Sequence, residues 1–546
     1  MEKEKLKPKL FSVMKTYTKE QLVKDVIAGV IVAIIALPLS IALALASGVS
    51  PEQGIYTAII AGFLISFFGG SRVQIAGPTA AFASIVASIV ARNGMDGLIM
   101  ATLLAGIMLI LMGVFRLGSL IRFIPYTITT GFTSGIAVTI AIGQLKDFFG
   151  VTFEKSPIET TGKLAEFLRN IETINIWAFV IAAISLAILI LWPKVNKQIP
   201  GSLIAVIVGA AIVKIADLPV NTIGSLYTIS NDLPTFHMPD ITFESIRSVW
   251  SDAFTIAILA AIESLLSCVV SDGMIGSRHR SNMELVAQGI GNMGSALFGG
   301  IPATGAIART AANVKNGGRT PIAGMVHAVV LLLVLVVLMP YAALIPMPTI
   351  AAILMMVAYN MSEWREFVDL CKTAPKSDII VLVLTFALTV IFDLVVAIEV
   401  GVVLAALLFM KRMSDVTEVQ GWKYVDETDD PMSINLRKVP KNTLVYEICG
   451  PMFFAAADKF LRINISSDTN TVILRMRSVP ALDATALHNM QKFYERCKKN
   501  NITLILSHVV EQPYHAMEKA GFVDLVGKEN FCKNIDEALV RAESLK

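Results

Sequence analysis

A single arginine stands in a run of small residues, GGIPATGAIARTAANVKNGG at residues 299–318, between two strongly apolar segments. The flanking segments have the length of membrane helices, whereas Pro302 and the glycines interrupt regular helix between them. Hydrocarbon accepts neither unpaired backbone groups nor the unpaired charge of Arg309. The pattern therefore predicts a polar cavity at membrane depth, with a short helix that begins beside it.

A second segment of the same kind, SRVQIAGPTAAFASIVAS at residues 71–88, carries Pro78 among small residues. We expect each segment to begin a half-helix near the middle of the membrane. The start of a helix presents free N–H groups and the positive end of the helix dipole, about half an elementary charge. Two such starts that face each other form an anion site. The guanidinium of Arg309 adds a planar set of donors that suits an oxyanion.

The predicted substrate-binding residues come from both half-helix starts: Thr79, Ala80, Phe82, Ala306, Ile307, Ala308 and Arg309. The small side chains among them, Thr79, Ala80, Ala306 and Ala308, let an anion approach the main chain. Phe82 has two interpretations, a cap on the apolar side of the cavity or an aromatic residue packed in the core. Arg309 also has an alternative role, in which it pairs with a buried acid and only joins two helices.

The acid that fits this alternative is Glu263, in the middle of the apolar segment TIAILAAIESLLSCVVSDG. A carboxyl group at this depth could carry a coupling proton. Because Ser267 lies one helical turn further on, the two side chains could instead give oxygen ligands to Na⁺. The predicted coupling-ion site therefore consists of Glu263, Ser267 and Gly305, and a fixed ion pair between Glu263 and Arg309 is the structural alternative.

The apolar residues are concentrated before about residue 412 of the 546-residue chain, which is 55% hydrophobic and 16% charged. Soluble domains carry about a quarter charged residues. The sequence therefore predicts an all-α polytopic membrane domain of about 14 spans, followed by a soluble module. Pro38, Pro78 and Pro302 are expected to interrupt three of the spans. The apolar segments lie near residues 25–47, 53–70, 74–91, 97–115, 124–145, 176–192, 200–216, 251–271, 283–299, 304–313, 321–340, 348–361, 377–393 and 395–411.

Lysine and arginine residues indicate the orientation of the spans. When the lysine-rich N-terminal segment is placed inside, the even-numbered connections carry lysines and arginines, whereas the short odd-numbered connections carry almost none, with Arg92 as the exception. We therefore expect an even number of spans, both termini in the cytoplasm and a multi-pass protein of the inner (plasma) membrane. No cleavable signal peptide is expected, so the first membrane helix would direct insertion.

The tripeptide FGG occurs twice, at residues 68–70 and 298–300, each time directly before one of the two proline-containing segments. In the topology above, the first copy lies at the inner surface and the second at the outer surface. The membrane domain is therefore expected to consist of two inverted repeats of seven spans each.

Charge and motifs exclude several classes of protein. No basic stripe with interleaved aromatic residues indicates nucleic-acid binding, and HExxH, GxSxG and Walker motifs are absent, so an enzyme is not expected. The five cysteines are scattered singly without metal-ligand spacing and are expected to be free thiols. We expect no structural metal and no cofactor other than a coupling Na⁺ or H⁺.

Three long segments resemble the sulfate permease (SulP) family: ALPLSIALALASGVSPEQGIYTAIIAGFLISFFGGSRVQIAGPTAAF, AIESLLSCVVSDGMIGSRHRSNMELVAQGIGN and GGIPATGAIARTAANVKNGGRTPIAG. The resemblance covers nearly the whole chain. It implies two inverted seven-span repeats divided into a core domain and a gate domain. It also implies a substrate held between the third and tenth helices, an elevator-like movement of the core domain, and a homodimer.

The family pattern also assigns roles to single residues. The residue before the tenth-helix arginine and that arginine contact the anion in the family, and they correspond here to Ala308 and Arg309. The eighth-helix acid of the family's ion site corresponds to Glu263. Two positions depart from the pattern: Leu39 stands where many members have Gln or Glu, and Ala308 stands where serine is common.

The C-terminal part, residues 442–546, alternates strands with helices and resembles a STAS domain. TLVYEICG, TVILRMRS and ITLILSHV are predicted strands, and AAADKFLRIN, ATALHNMQKFYERCKKN and EALVRAESL are predicted helices. Asp483 is expected to cap the second of these helices. The resemblance implies that Thr485 could be phosphorylated as a regulatory site, and a plain helix cap without modification is the alternative.

These observations predict a cytoplasmic segment at residues 1–24, a transmembrane transport domain at 25–412, a linker at 413–441 and a STAS domain at 442–546. The expected function is secondary active transport of a small anion by symport with H⁺ or Na⁺. Sulfate is favoured, and bicarbonate or a C4-dicarboxylate is the substrate alternative. A passive anion channel or uncoupled exchanger of the same fold is the first rival function, and a membrane-tethered STAS scaffold is the second. Expected partners are the anion, the lipid bilayer, a second copy of the chain and a cytosolic regulator at the STAS domain.

Overall fold

The chain forms two compact units, Met1–Val402 and Val403–Lys546. The computed structural model describes residues 6–119, 125–155, 157, 159–196, 199–392, 394–422, 439–456, 465 and 468–545. Helices dominate the first unit. In chain order, the helices up to the one that crosses into the second unit are α1 Leu10–Val13, α2 Lys19–Ala46, α3 Pro51–Phe68, α4 Ala80–Val114, α5 Tyr126–Phe149, α6 Thr160–Arg169, α7 Ile176–Val195, α8 Gly201–Ile215, α9 Ile223–Leu226, α10 Phe243–Ile275, α11 Ser281–Leu297, α12 Ile307–Lys315, α13 Ile322–Leu338, α14 Met347–Ser362, α15 Trp364–Thr373, α16 Lys376–Ile391 and α17 Leu394–Val416.

Each of the predicted apolar segments coincides with a helix. The segments predicted at 74–91 and 97–115 both fall within α4, where Gly94 adopts φ 68° and ψ −170° and ends regular helix between them. That backbone conformation favours glycine, so Gly94 allows the chain to turn there. Within the described residues, seven helices are long and apolar enough to cross a membrane: α2, α3, α4, α5, α7, α10 and α13 with its 3₁₀ extension.

The expectation that Pro38 interrupts its span is wrong, because α2 runs unbroken from Lys19 to Ala46. A proline inside a helix removes one N–H donor and leaves one carbonyl without its partner. Pro38 is buried among neighbouring helices, and a free backbone group is tolerated in a membrane where protein surrounds it. The lost hydrogen bond therefore does not force the helix to end.

Two short strands, β1 Ala76–Gly77 and β2 Thr304–Gly305, pair in antiparallel register. They are the non-helical backbone expected at Pro78 and Pro302. Because β1 leads into α4 and β2 leads into α12, their pairing places the N-terminal ends of these two helices side by side.

Buried amide side chains fix the approach to each strand. The side chain of Asn292 on α11 makes two hydrogen bonds with the main chain of Ala303. It accepts from the N–H of Ala303 and donates to the carbonyl of Ala303, both at 2.8 Å. Asn313 on α12 donates to the carbonyl of Val73 at 2.8 Å. The two strands are thus held by groups from helices as well as by each other.

Glu284 on α11 is fully buried, at 0% exposure, and is the acceptor for four donors. Its Oε2 accepts from the backbone N–H groups of Gly70 and Ser71 at 2.9 and 3.1 Å. Its Oε1 accepts from the side-chain amides of Gln74 and Gln288 at 2.8 and 3.0 Å. The carboxyl group therefore ties the end of α3 and the approach to β1 onto α11.

Replacement of Glu284 by leucine is expected to destabilise the folded protein strongly. The four buried donors would lose their acceptor, and each unsatisfied group costs about 1–3 kcal/mol. The melting temperature of the purified protein should fall by about 10 °C, measured by thermal unfolding in detergent. Glu20→Leu, at an exposed carboxylate, is the control and should change it little. An unchanged melting temperature for Glu284→Leu would contradict this role.

The second unit contains a five-stranded sheet made of β3 Glu418–Trp422, β4 Thr443–Cys449, β5 Thr471–Ser478, β6 Thr503–Ser507 and β7 Phe531–Cys532, which are neighbours in this order. Strand β3 is antiparallel to β4, and the other neighbours are parallel. Alternate residues of its strands belong to two separate apolar clusters, with Leu474 in one and Ile473 in the other, as the alternation of side chains along a strand requires. The helices that follow α17 in chain order are α18 Ala484–Lys499, α19 Glu511–Lys519, α20 Phe522–Val526 and α21 Ile535–Glu543.

The predicted strands of this unit and the predicted cap are confirmed. Asp483 is the N-cap of α18 and accepts from the backbone N–H of Ala486 at 2.8 Å. Thr485 is exposed in the first turn of the same helix. The helix predicted at residues 455–464 falls largely outside the described residues.

Candidate functional site

The candidate site lies where α4 and α12 begin. Ala76 pairs with Gly305 and Gly77 with Thr304 in the β1–β2 register. The N–H of Ala306 also donates to the carbonyl of Ile75 at 2.9 Å. These main-chain hydrogen bonds hold the two helix starts together, in agreement with the prediction that the two proline-containing segments begin helices that face each other.

Neither helix start has a capping side chain. Thr79 is the N-cap residue of α4, but its side chain makes no cap hydrogen bond, and its hydroxyl instead donates to Oε2 of Glu263 at 3.1 Å. The N-cap residue of α12 is Ala306, which has no polar side chain to offer. The N–H of Phe82 donates to the carbonyl of Thr79 at 3.2 Å. The remaining first-turn N–H groups of the two helices receive no side-chain cap and are available to an anion, and both helix dipoles add positive potential there.

Arg309 is buried beside these two helix starts, at 1% exposure. Its Nη2 donates to the carbonyl of Pro78 at 3.1 Å, whereas its Nε and Nη1 have no hydrogen-bond partner among the described residues. A Cβ atom at Gly77 would lie 2.5 Å from Nη1, so only glycine lets the guanidinium pack against β1. A buried charge with unsatisfied donors is costly, and a bound anion would compensate for it.

Glu263 on α10 contacts Thr79, the residue directly after Pro78. Arg309 holds the carbonyl of Pro78, and Glu263 holds the hydroxyl of Thr79. The fixed ion pair between Glu263 and Arg309, the structural alternative considered above, is not formed between these two described residues. The acid and the arginine are instead connected through the first residues before α4.

The other predicted coupling residues have different neighbours. The hydroxyl of Ser267 donates to Oγ1 of Thr310 at 3.3 Å and is not bonded to Glu263. Gly305 is buried in β2, where a side chain would clash with the amide of Gln74. Within the described residues, no group of three or more His, Cys, Asp or Glu side chains is placed to hold a metal ion.

The predicted substrate-binding residues differ in their accessibility. Ala80 and Phe82 are buried, at 7% and 1% exposure, so the side chain of Phe82 is packed inside the protein. Ile307 is 44% exposed. The residues of the set that are partly or fully exposed are Thr79, Ala306, Ile307 and Ala308.

Thr310 is a residue of the site that the sequence did not indicate. Its Oγ1 accepts from the backbone N–H of Ile75 at 3.1 Å and from Ser267. It therefore joins the residue before β1 to α10 and α12. Its position directly after Arg309 was the only signal that could have identified it.

Comparisons with known proteins identify the family to which the chain belongs. A family profile described as the sulfate permease family matches residues 22–385, and a STAS domain profile matches residues 433–538. YvdB of Bacillus subtilis (strain 168) is 40% identical over 529 residues, which cover 96% of this chain and 98% of the relative. The bicarbonate transporter BicA of Picosynechococcus sp. is 30% identical over 540 residues, which cover 95% and 94% of the two chains.

Solved structures share the fold. Murine Slc26a9, an anion transporter solved in the inward-facing state, superposes with a TM-score of 0.89 at 19% identity, covering 99% of this chain and 94% of the other. The transmembrane domain of a cyanobacterial BicA superposes with a TM-score of 0.62 at 30% identity, covering 71% and 98%. The predicted fold class is confirmed. The chain is therefore a member of the sulfate permease family, a family of membrane transporters and not of enzymes, with a helical membrane domain followed by a STAS domain.

Proposed function

We propose that the protein is a secondary active transporter of a small inorganic or organic anion. The observation that supports this best is Arg309, a buried guanidinium whose Nε and Nη1 have no partner among the described residues. It lies beside two helix starts that lack capping side chains. Backbone N–H groups, helix dipoles and a guanidinium together suit the oxygen atoms of an oxyanion.

Sulfate is the substrate we favour. Several relatives have sulfate transport in their names, among them sulfate transporter 4.1 of Arabidopsis thaliana, at 26% identity over 570 residues. BicA, at 30% identity, is named for bicarbonate. Bicarbonate and C4-dicarboxylates present similar oxygen atoms, so main-chain N–H groups and one guanidinium would accept all three classes.

We place the coupling ion at Glu263. The carboxyl group is bonded to Thr79, which directly precedes α4, so a proton or Na⁺ that binds Glu263 would act on the same segment that Arg309 holds. Ser267 and Gly305 would complete a Na⁺ site only after their present contacts change. The proposed movement is an elevator-type displacement of the core domain.

The proposed orientation follows the positive charges of the sequence: both termini lie in the cytoplasm, and the end of α5 and helix α6 lie on the outer side. The proposed assembly is a homodimer in the inner (plasma) membrane. Thr485, exposed on α18, is the proposed point of regulation at the STAS domain.

Purified protein in liposomes is expected to take up labelled sulfate, and an imposed inward H⁺ or Na⁺ gradient should drive uptake above equilibrium. Competition by bicarbonate, fumarate, chloride and nitrate, with and without Na⁺, would identify the substrate and the coupling ion. Uptake that only dissipates the anion's own gradient would instead indicate a passive channel. Absence of flux for every anion of this panel would contradict transport and favour the scaffold alternative.

A further inference from the structure

A second polar feature lies between α4 and the helices α5, α6 and α14, and Arg309 is not among the residues that line it. It is a cavity of about 230 Å³. One wall is formed by the end of α2 and by Ala83, Ser84 and Ala87 on α4, and the opposite wall by α5, α6 and α14. Because a water molecule occupies about 30 Å³ in the liquid, the cavity has room for a small anion with several waters.

Two charged side chains face this cavity, Asp147 from α5 and Lys163 from α6. Both residues are described and partly buried, and no ion pair joins them. Burial lowers the pKa of Lys163, because removal from water disfavours the charged ammonium. Burial and the carboxylate of Asp147 raise the pKa of Tyr227, which also lines the cavity. The lining residues of α2, α4 and α14 carry no charge.

The cavity lies on the path that the candidate site would follow. Ala83 and Ala87 are three and seven residues beyond Ala80, which corresponds to about 5–10 Å along the helix axis. A displacement of the start of α4 by this distance along its own axis, towards the break at Gly94, would bring it to the position that Ala83 to Ala87 now occupy. The start of α4 would then face Lys163 and Asp147.

We propose that this cavity is an outer access site for the transported anion, in which the ammonium of Lys163 attracts the anion and the carboxylate of Asp147 limits its binding. The inference rests on the proposed function and orientation. It adds a specificity determinant on α5 and α6, separate from the residues that the family pattern assigns. The two side chains act with opposite sign on any anion that enters.

The test compares Lys163→Gln and Asp147→Asn in the full-length protein. Lys163→Gln should raise the KM for external sulfate roughly three- to tenfold, and Asp147→Asn should lower it by a similar factor. External KM is measured by uptake into intact cells, and internal KM by uptake into inside-out membrane vesicles, where neither variant should change it. Lys155→Gln, at an exposed lysine of the same outer connection, is the matched control and should resemble the wild type.

Changes of the external KM in opposite directions in the two variants, with the internal KM unchanged, would support the access site. Shifts in the same direction, equal shifts on both sides, or unchanged KM values in both variants would overturn it. Absence of sulfate and bicarbonate uptake by the wild-type protein would instead contradict the proposed function itself, so the two failures are distinguishable.

Discussion

Replacement of Arg309 by alanine is expected to reduce anion uptake at least 100-fold. The guanidinium has two nitrogens without a protein partner among the described residues, and each charge-assisted hydrogen bond to a bound anion is worth about 1.5–3 kcal/mol. Two such bonds correspond to a factor of roughly 100 or more in affinity. The substitution also leaves the carbonyl of Pro78 without its donor.

The measurement is initial uptake of labelled anion into liposomes at concentrations from far below to far above the wild-type KM. Lys315→Ala removes an exposed positive charge from the last turn of the same helix and should leave uptake unchanged. Arg309→Lys keeps the charge without the planar donor set, so it should recover only part of the activity. Wild-type uptake by a correctly folded Arg309→Ala protein would contradict the assignment of the site.

Replacement of Glu263 by glutamine is expected to uncouple transport without abolishing it. The amide oxygen can still accept from the hydroxyl of Thr79, so the start of α4 keeps its geometry, whereas the neutral side chain can neither gain a proton nor attract Na⁺. At zero membrane potential and with one coupling ion per anion, an imposed tenfold gradient of that ion supports up to about tenfold accumulation of anion in the wild type. The variant should reach a ratio of about one.

Two assays on the same liposomes separate coupling from transport itself. Gradient-driven accumulation requires coupling, whereas exchange of labelled for unlabelled anion requires only transport. We expect Glu263→Gln to lose the first and to retain the second. Glu244→Gln, at an exposed acid in the first turn of the same helix, is the control and should keep both. Accumulation that is unchanged in Glu263→Gln would place the coupling ion elsewhere.

Local signals in the sequence predicted local features well. Proline and small residues at Pro78 and Pro302 correctly predicted the breaks before α4 and α12, and Asp483 correctly predicted a cap. The same proline signal failed at Pro38, because a proline shows that one donor is missing but not whether the surrounding protein tolerates the loss.

Contacts between distant segments could not be predicted in this way. Glu284 binds Gly70 and Ser71 from a position more than 200 residues later, and nothing in its own segment shows which donors it will meet. Spacing placed Ser267 on the same helical face as Glu263, but a shared face does not imply a shared partner. Its hydroxyl bonds Thr310, which another helix supplies.

The wall of the access cavity formed by α4 consists of Ala83, Ser84 and Ala87. Helices with larger side chains interlock, because ridges on one surface fit into grooves on the other. Side chains this short form only a shallow relief, so one surface can slide along the other without side chains being forced through unfavourable rotamers. A bulky residue introduced at Ala87 would act as a mechanical stop and would slow turnover even where the affinity for the anion is unchanged.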